Sequence, residues 1–352
     1  MTTSQPALQP SLAPPLARVR GLARVWKTGL AAATTWAAFG LLTWQWPNRV
    51  VGFSDWAYTD ELGVAALVVA ALIALVAVFG TTGSHPTTRN ARNTPQRAVA
   101  ALHIAGPWLI AVPVVLAAWE ILTAKTASLP TPFFAPPQAL IEVYIDDWRR
   151  LGDSVVNTLR LLALGVAWGG VIGFLVGVSI GWSRLIGYWV HPVLRVLGPL
   201  PSTALLPLTF YFFPSSYSAA VFLIALATAF PVAVLTWSGV ASVNKSYYDV
   251  ARTLGASGWF LVLRVAIPAA LPQVFVGLFM GLGASFSVLV TAEMMGVKSG
   301  LGWYLTWAQG WASYVNMYAA LIVMALLFSG VITLLFVVRD RALSWQKGTV
   351  KW

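Results

Sequence analysis

The chain has 352 residues, of which 58% are apolar and only 9% charged, and its formal net charge is +11. A soluble domain carries about 25% charged residues, so this composition excludes an ordinary water-soluble enzyme and describes a polytopic membrane protein. Cysteine is absent, which excludes disulfides, thiol catalysis and thiolate metal sites and leaves the compartment open.

The first residues, punctuated by Pro6, Pro10, Pro14 and Pro15, read as an unstructured tail; with Arg18, Arg20, Arg24 and Lys27 they form a basic segment over 1–27. A basic stretch before an apolar run imitates a secretory leader, but this one is expected to be retained as an anchor. Apolar runs long enough to cross a bilayer fall at about 28–46, 62–80, 102–124, 154–181, 187–213, 217–240, 270–293 and 317–338, which predicts eight spans. Pro192, Pro199, Pro201 and Pro207 interrupt the fifth. Such breaks are tolerated where neighbours or a water-filled path satisfy the freed backbone groups.

Charge placement orients these spans. With both ends cytoplasmic, sixteen Lys and Arg fall inside, Arg184, Arg195, Lys245 and Arg252 among them. Five fall outside (Arg49, Lys125, Arg149, Arg150 and Lys298), a clear positive-inside bias. The net charge is therefore a topology signal. Spread over every inner loop, it forms no single patch for nucleic acid.

Within the predicted spans, Gly165, Gly169, Gly173, Gly177 and Gly181 recur every four residues and offer a slowly winding groove to a neighbouring helix. The stripe serves static packing, an interface that moves, or both. Glu120, Arg160 and Glu293 also fall inside spans, where a charge costs about 2.5–3.5 kcal/mol at a helix centre on insertion scales. Two readings are open: an ion pair of Arg160 with Glu120 or Glu293 that fixes helix register, or an Arg160 that faces an anionic substrate near the outer gate. Ser202, Thr228, Ser285, Ser287 and Thr291 are candidates to line a polar path, although helical hydroxyls often bond only to their own backbone. On the outer side, residues 137–150 read as an amphipathic helix, with Leu140, Ile141, Tyr144 and Ile145 opposite Glu142, Asp146 and Asp147. Trp303, Tyr304, Trp307, Trp311 and Tyr314 form an aromatic cluster that suits an interface belt, a gate or a docking surface.

Between two apolar runs lies YYDVARTLGASGWFLVLRVAIPAALP, Tyr247 to Pro272. On a helix projected from Lys245, Tyr247, Val250, Ala251 and Leu254 share one side, and Lys245, Asp249 and Arg252 gather almost opposite. The spacing predicts a short amphipathic helix within about 244–257, suited to a groove on a soluble partner. Gly255 is expected to stop it where a side chain would obstruct a tight turn, and Pro268 and Pro272 to mark where a helix restarts.

The spacing Asp249, Ala251, Gly255, Val265, Ile267 and Pro268 resembles the "EAA" cytoplasmic loop of ABC-importer permease subunits. Asp249 stands in place of Glu, Val250 in place of the first Ala, and Ile267 in place of Leu before the Pro. The resemblance extends over about 98–352. Ser154 to Gly181, Leu200-Pro201 through Leu206-Pro207-Leu208, Thr291-Ala292-Glu293-Met294 and Ser299-Gly300-Leu301-Gly302 resemble permeases of sulfonate, nitrate and bicarbonate-type importers. Phe212-Phe213-Pro214 departs from the usual Phe-Gly. Residues 28–97, a two-helix membrane extension and linker, lie outside the resemblance.

The resemblance implies an all-α type I permease core of six helices, here preceded by two extra spans, in the bacterial cytoplasmic (inner) membrane. It implies a second copy of the chain, a cytoplasmic ATPase dimer that binds ATP and Mg, and a periplasmic or surface binding protein that delivers a small anion. Tyr248, Asp249, Ala251, Arg252, Leu254, Gly255 and Pro268 would couple the ATPase. No cofactor is expected in this chain. It has no G-x-x-x-x-G-K-[ST] loop, and His85, His103 and His191 are too scattered for a metal site. Gly283-Ala284-Ser285 with His191 has no second motif to support an intramembrane protease. Two rivals stand beside the importer: an ion-coupled secondary transporter using Glu120 and Glu293, and a membrane scaffold without transport activity.

Overall fold

Long apolar runs can satisfy their backbone groups inside a bilayer only as helices or closed barrels, and the described residues of this chain are helices joined by turns. The computed structural model describes residues 26–49, 56–79, 101–130, 132–198 and 200–346. Nearly all of the basic tail and the linker up to residue 97 lie outside them. Packing divides the chain into two units, Met1–Leu129 and Pro130–Trp352. That boundary lies after the third helix, whereas the resemblance begins at about residue 98.

The first unit holds α1 (Lys27–Gln45), α2 (Thr59–Phe79) and α3 (Gly106–Lys125). α1 and α2 approach at Gly40 and Gly63, where a Cβ on Gly40 would lie 2.9 Å from the Gly63 carbonyl oxygen. Trp36 Nε1 donates to the Leu109 carbonyl at 2.9 Å and ties α1 to α3. The end of α3, Ile121–Lys125, widens into a π-turn in which Thr126 N reaches Ile121 O at 2.9 Å.

The second unit holds α4 (Pro137–Asp146), α5 (Trp148–Trp182), α6 (Arg184–Leu197), α7 (Leu206–Phe212) and α8 (Ser216–Ala241). It continues with α9 (Lys245–Thr253), α10 (Gly258–Met295), α11 (Leu301–Gly310) and α12 (Tyr314–Ala342). α8 is the centre of this unit: 56% of its most apolar window is buried, against 6% for α12. The glycine stripe of α5 explains why. A Cβ on Gly169, Gly173 or Gly177 would strike the carbonyl oxygens of Ala225, Ala229 and Ala233, at 2.5 Å for Gly173 and 2.6 Å for Gly177. At the two ends of the stripe, Gly165 faces Ile224 and Gly181 faces Val240. From the other side, Gly277 and Gly281 of α10 meet α8 at Val232 and Thr228. Small residues let the backbones of α5 and α10 close on α8 from two sides, as is common in membrane packing.

Among the described residues, six helices are long and apolar enough to cross a membrane: α2, α3, α5, α8, α10 and α12. α1, expected to be a span, has the length (19 residues), but its Thr, Trp and Gln leave it short of the apolarity of the other six. The predicted fifth span is not one helix. α6 and the segment Ser202–Phe212 meet at 85°. The helix expected to restart at Pro268 begins at Gly258, and a π-turn over Val262–Ala266 precedes Pro268. Pro268 cannot donate a backbone hydrogen bond and its ring crowds the preceding turn, so a local widening lets α10 continue through it.

Candidate functional site

α9 is built to protrude. Asn244 caps its start, accepting a hydrogen bond from Ser246 N at 3.0 Å. At its end Gly255 N donates to Arg252 O (2.9 Å) and Ala256 N to Ala251 O (3.0 Å), the paired bonds of a Schellman motif, with Gly255 at φ +84°. The obstruction expected at Gly255 is absent, because a Cβ there would meet nothing within 4 Å. The left-handed backbone, not crowding, calls for glycine. Tyr248 anchors α9 by packing on Val240, Ala266 and Ala270 and meeting Trp182 edge-on at 6.0 Å; burial pushes its phenol pKa up. Ala251 is half-buried beside it. The predicted apolar side therefore does not turn inward. Tyr247, Val250 and Leu254 are exposed, Leu254 by 83%, as are Trp259 and Phe260 at the start of α10. Asp249 and Arg252 form a solvent-facing pair at 3.8 Å. Pro268 lies within α10, beyond this surface.

A second feature is a cavity of about 290 Å³ at the break between α6 and α7. It is lined by Gly198, Pro201, Ser202 and Thr203 from the break, by Phe230 and Pro231 of α8, and by Ala284 and Ser287 of α10. Ser202 and Ser287, expected along a polar path, both reach it. Thr228 and Ser285 do not. They are fully buried and share a hydrogen bond of 2.6 Å between α8 and α10. Thr291 bonds back to Ser287 O at 2.8 Å.

The membrane carboxylates are occupied otherwise than expected. Thr158 Oγ1 donates to Glu293 Oε1 and Gly302 N donates to Glu293 Oε2, each at 2.8 Å. Leu301 N in turn donates to Thr158 Oγ1 at 2.8 Å. Glu293 thus caps the first turn of α11, where backbone N–H groups lack helical partners. Gly300 (φ +98°) and Gly302 leave room for it, since a Cβ on either would run into Glu293. Glu120 pairs with Lys125 at 3.3 Å, both side chains fully buried. The same ammonium donates to the carbonyls of Thr43 (2.8 Å) and Trp46 (2.6 Å), and Thr43 Oγ1 donates to Glu120 Oε2 at 2.6 Å. The expected pairing of Arg160 with one of these carboxylates is corrected on both counts: Lys125 takes Glu120, Thr158 and Gly302 take Glu293, and Arg160 is exposed. Lys125, assigned to an outer loop by its place in the sequence, is buried.

Residues 169–344, from the middle of α5 through the end of α12, match the family described as binding-protein-dependent transport system inner membrane component. The chain belongs to this family. It is 30% identical over 243 residues to a probable ABC transporter permease protein of Brucella abortus, covering 68% of this chain and 95% of that one. It is 27% identical to a nitrate import permease protein of Synechococcus elongatus, covering 68% and 87%. Against a putative aliphatic sulfonates transport permease protein of Bacillus subtilis the identity is 27%, covering 66% and 85%. Inward-facing conformations of the MetNI methionine ABC transporter align with a TM-score of 0.46 at 20% identity, covering 55% of this chain and 94% of that one. The protein is thus a multi-pass inner-membrane permease subunit of an ABC-type importer that moves a small solute.

One cluster in the permease was visible in the sequence only as separate residues. Tyr304, fully buried, donates to Asp147 Oδ2 at 2.7 Å. Arg150 lies 3.7 Å from Asp147 and covers the Trp307 ring at 4.3 Å. Burial, then the Asp147 carboxylate, pushes the Tyr304 phenol pKa up. Glu293 holds the start of α11 and this cluster its middle, so the aromatic segment is fixed against the junction of α4 and α5. Trp311, in contrast, is exposed. α4 buries Gln138, Ala139, Leu140 and Val143, a face rotated from the predicted one, and Ile145 is exposed. Among the described residues no group of three or more His, Cys, Asp or Glu is placed to hold a metal ion.

Proposed function

We propose that this permease imports a small anion, of the nitrate, sulfonate, bicarbonate-like or aromatic-acid class, and that α9 is where a separate ATPase dimer drives it. The observation that carries this reading is the exposed apolar patch of Tyr247, Val250 and Leu254 on a helix capped at both ends and anchored by Tyr248. An exposed apolar surface outside the membrane spans marks a contact site for protein or membrane, and the solvent-facing Asp249–Arg252 pair on the same helix favours a soluble protein. The ATPase can shift the transporter between two states only through differential contact, and α9 is the element placed to provide it. Relatives named for nitrate and aliphatic sulfonates support the anion class. The topology is eight crossings with both ends inside, α1 and the segment that follows the break after α6 making up the number. Two copies form the pathway, the cavity beside Ser202 and Ser287 opens onto it, and a periplasmic or surface binding protein supplies the solute.

Native mass spectrometry of the complex taken gently from its own membrane tests the assembly: two copies of this chain with two ATPase chains are expected, and this chain without an ATPase overturns the reading. Gly255 tests the coupling. Replacement by Val forces a left-handed backbone that costs about 1–2 kcal/mol, and uptake should fall while ATP hydrolysis persists. Asn, which tolerates that conformation, should retain uptake. Equal uptake by both variants at normal expression removes α9 from the coupling path.

A further inference from the structure

α6 runs RLIGYWVHPVLRVL over Arg184–Leu197, capped by Ser183 Oγ, which accepts from Ile186 N at 3.4 Å. At 1.5 Å per residue it is about 21 Å long, too short to cross a hydrocarbon core of about 30 Å. It also meets the following segment at 85°. One face touches the rest of the unit: Gly187 lies against Ile180, and His191 meets the Trp237 ring at 4.3 Å. The opposite face carries an exposed apolar stripe, Leu185 (72%), Trp189 (69%), Val193 and Val196 (67%). Arg184 and Arg195, both exposed, flank this stripe on one side with Tyr188 between them.

Arg184 and Arg195 are eleven residues apart, about 16 Å along the axis, yet within about 20° of each other around it. A helix standing along the membrane normal would sink one of them by that distance. A helix lying in the membrane plane keeps both at one depth and still buries the whole stripe. Apolar face, basic flank and an aromatic at the border are the pattern of an interfacial helix. We propose that α6 lies in the plane of the cytoplasmic leaflet, with Leu185, Trp189, Val193 and Val196 among the acyl chains and Arg184 and Arg195 on the phosphates of anionic lipids. Charge complementarity selects this occupant over a protein: the inner leaflet carries anionic headgroups that attract basic segments beside the membrane. The break between α6 and α7 lines the cavity beside Ser202, so the lipid would set the position of one wall of that cavity.

The side of the membrane rests on the topology proposed above; the orientation does not. The chain contains no cysteine, so single cysteines can be introduced at Leu185, Trp189, Val193 and Val196 without removing any native thiol. Spin labels at these positions, in the full complex in nanodiscs, should report one shallow depth from their oxygen and nickel-chelate accessibilities. A depth that increases steadily from Leu185→Cys to Val196→Cys overturns the in-plane orientation. Immobilised labels shielded from oxygen overturn it in favour of a second copy or the ATPase as the cover. An impermeant thiol reagent on right-side-out and inverted vesicles reads the side, so a wrong topology is distinguished from a wrong orientation. For the lipid itself, native mass spectrometry should show phosphatidylglycerol retained from mixed phosphatidylcholine–phosphatidylglycerol nanodiscs and lost from the R184Q/R195Q double variant. Equal retention by the variant overturns the headgroup assignment.

Discussion

Glu120 and Glu293 are both buried in apolar helices, and the two units satisfy them in opposite ways. In the first unit Glu120 meets a full charge, Lys125, whose remaining donors go to the end carbonyls of α1. In the second unit Glu293 meets no cation among the described residues. Its partners are a threonine hydroxyl and the backbone N–H that opens α11. An ion pair in a low-dielectric interior depends on both members, because either alone is an uncompensated charge. A helix terminus spreads its partial charge over several N–H groups, so a carboxylate there loses less when one donor goes. The pair is therefore the brittle arrangement and the cap the graded one.

The largest effect should come from breaking the pair on one side only. Lys125→Met leaves Glu120 buried and unpaired and should cost about 3–5 kcal/mol, read as thermal stability of the purified permease in detergent. Removing both charges with Glu120→Leu and Lys125→Met should recover most of that loss; a double variant as unstable as the single one breaks the comparison. Glu293→Ala, which strands the Gly302 and Thr158 donors, should cost about 2–3 kcal/mol, and Glu293→Gln, which keeps an acceptor, less. Equal losses for Ala and Gln would mean that Glu293 acts through its charge, as Glu120 does. Thr158→Val removes one donor to Glu293 and the acceptor for Leu301 N, and about 1–2 kcal/mol is expected from the same melts. Arg160→Gln should change stability by no more than about 0.5 kcal/mol, because Arg160 is exposed and neither carboxylate depends on it. Its uptake kinetics are the informative readout. A raised KM with unchanged stability keeps Arg160 as an anion contact, and unchanged kinetics remove it.

Much of the second unit was legible in the sequence because its signals are periodic or local. The four-residue spacing of Gly165 to Gly181 is visible in the letters, although its partner ladder of Ala225, Ala229 and Ala233 emerges only when α8 is laid against it. The short helix around Asp249 and its stop at Gly255 were legible through side-chain pattern and turn chemistry. Which face turns outward was not, since Tyr248, next in sequence to Tyr247, decides it by packing on Trp182. Lys125 was illegible for a different reason. Its position after an apolar run suggests a loop, but the π-turn lets it fold back, and its acceptors at Thr43 and Trp46 are backbone carbonyls that no residue type announces. Glu293 had a signal in Gly300-Leu301-Gly302, two glycines flanking a helix start, which marks a place where something must approach the backbone closely. The two arginines of α6 carried one too, because their spacing around the helix fits the membrane plane and not a span.

The glycine stripe of α5 also limits how the transporter can move. Its notches sit over the carbonyls of every fourth residue of α8, like a rack meshed with a second rack of the same pitch. Sliding one helix along the other by less than a full pitch, about 6 Å, would push a side chain of α5 into the α8 backbone. The two helices are thus indexed to each other, and any rearrangement that keeps this contact must carry them as one piece and find its hinge elsewhere.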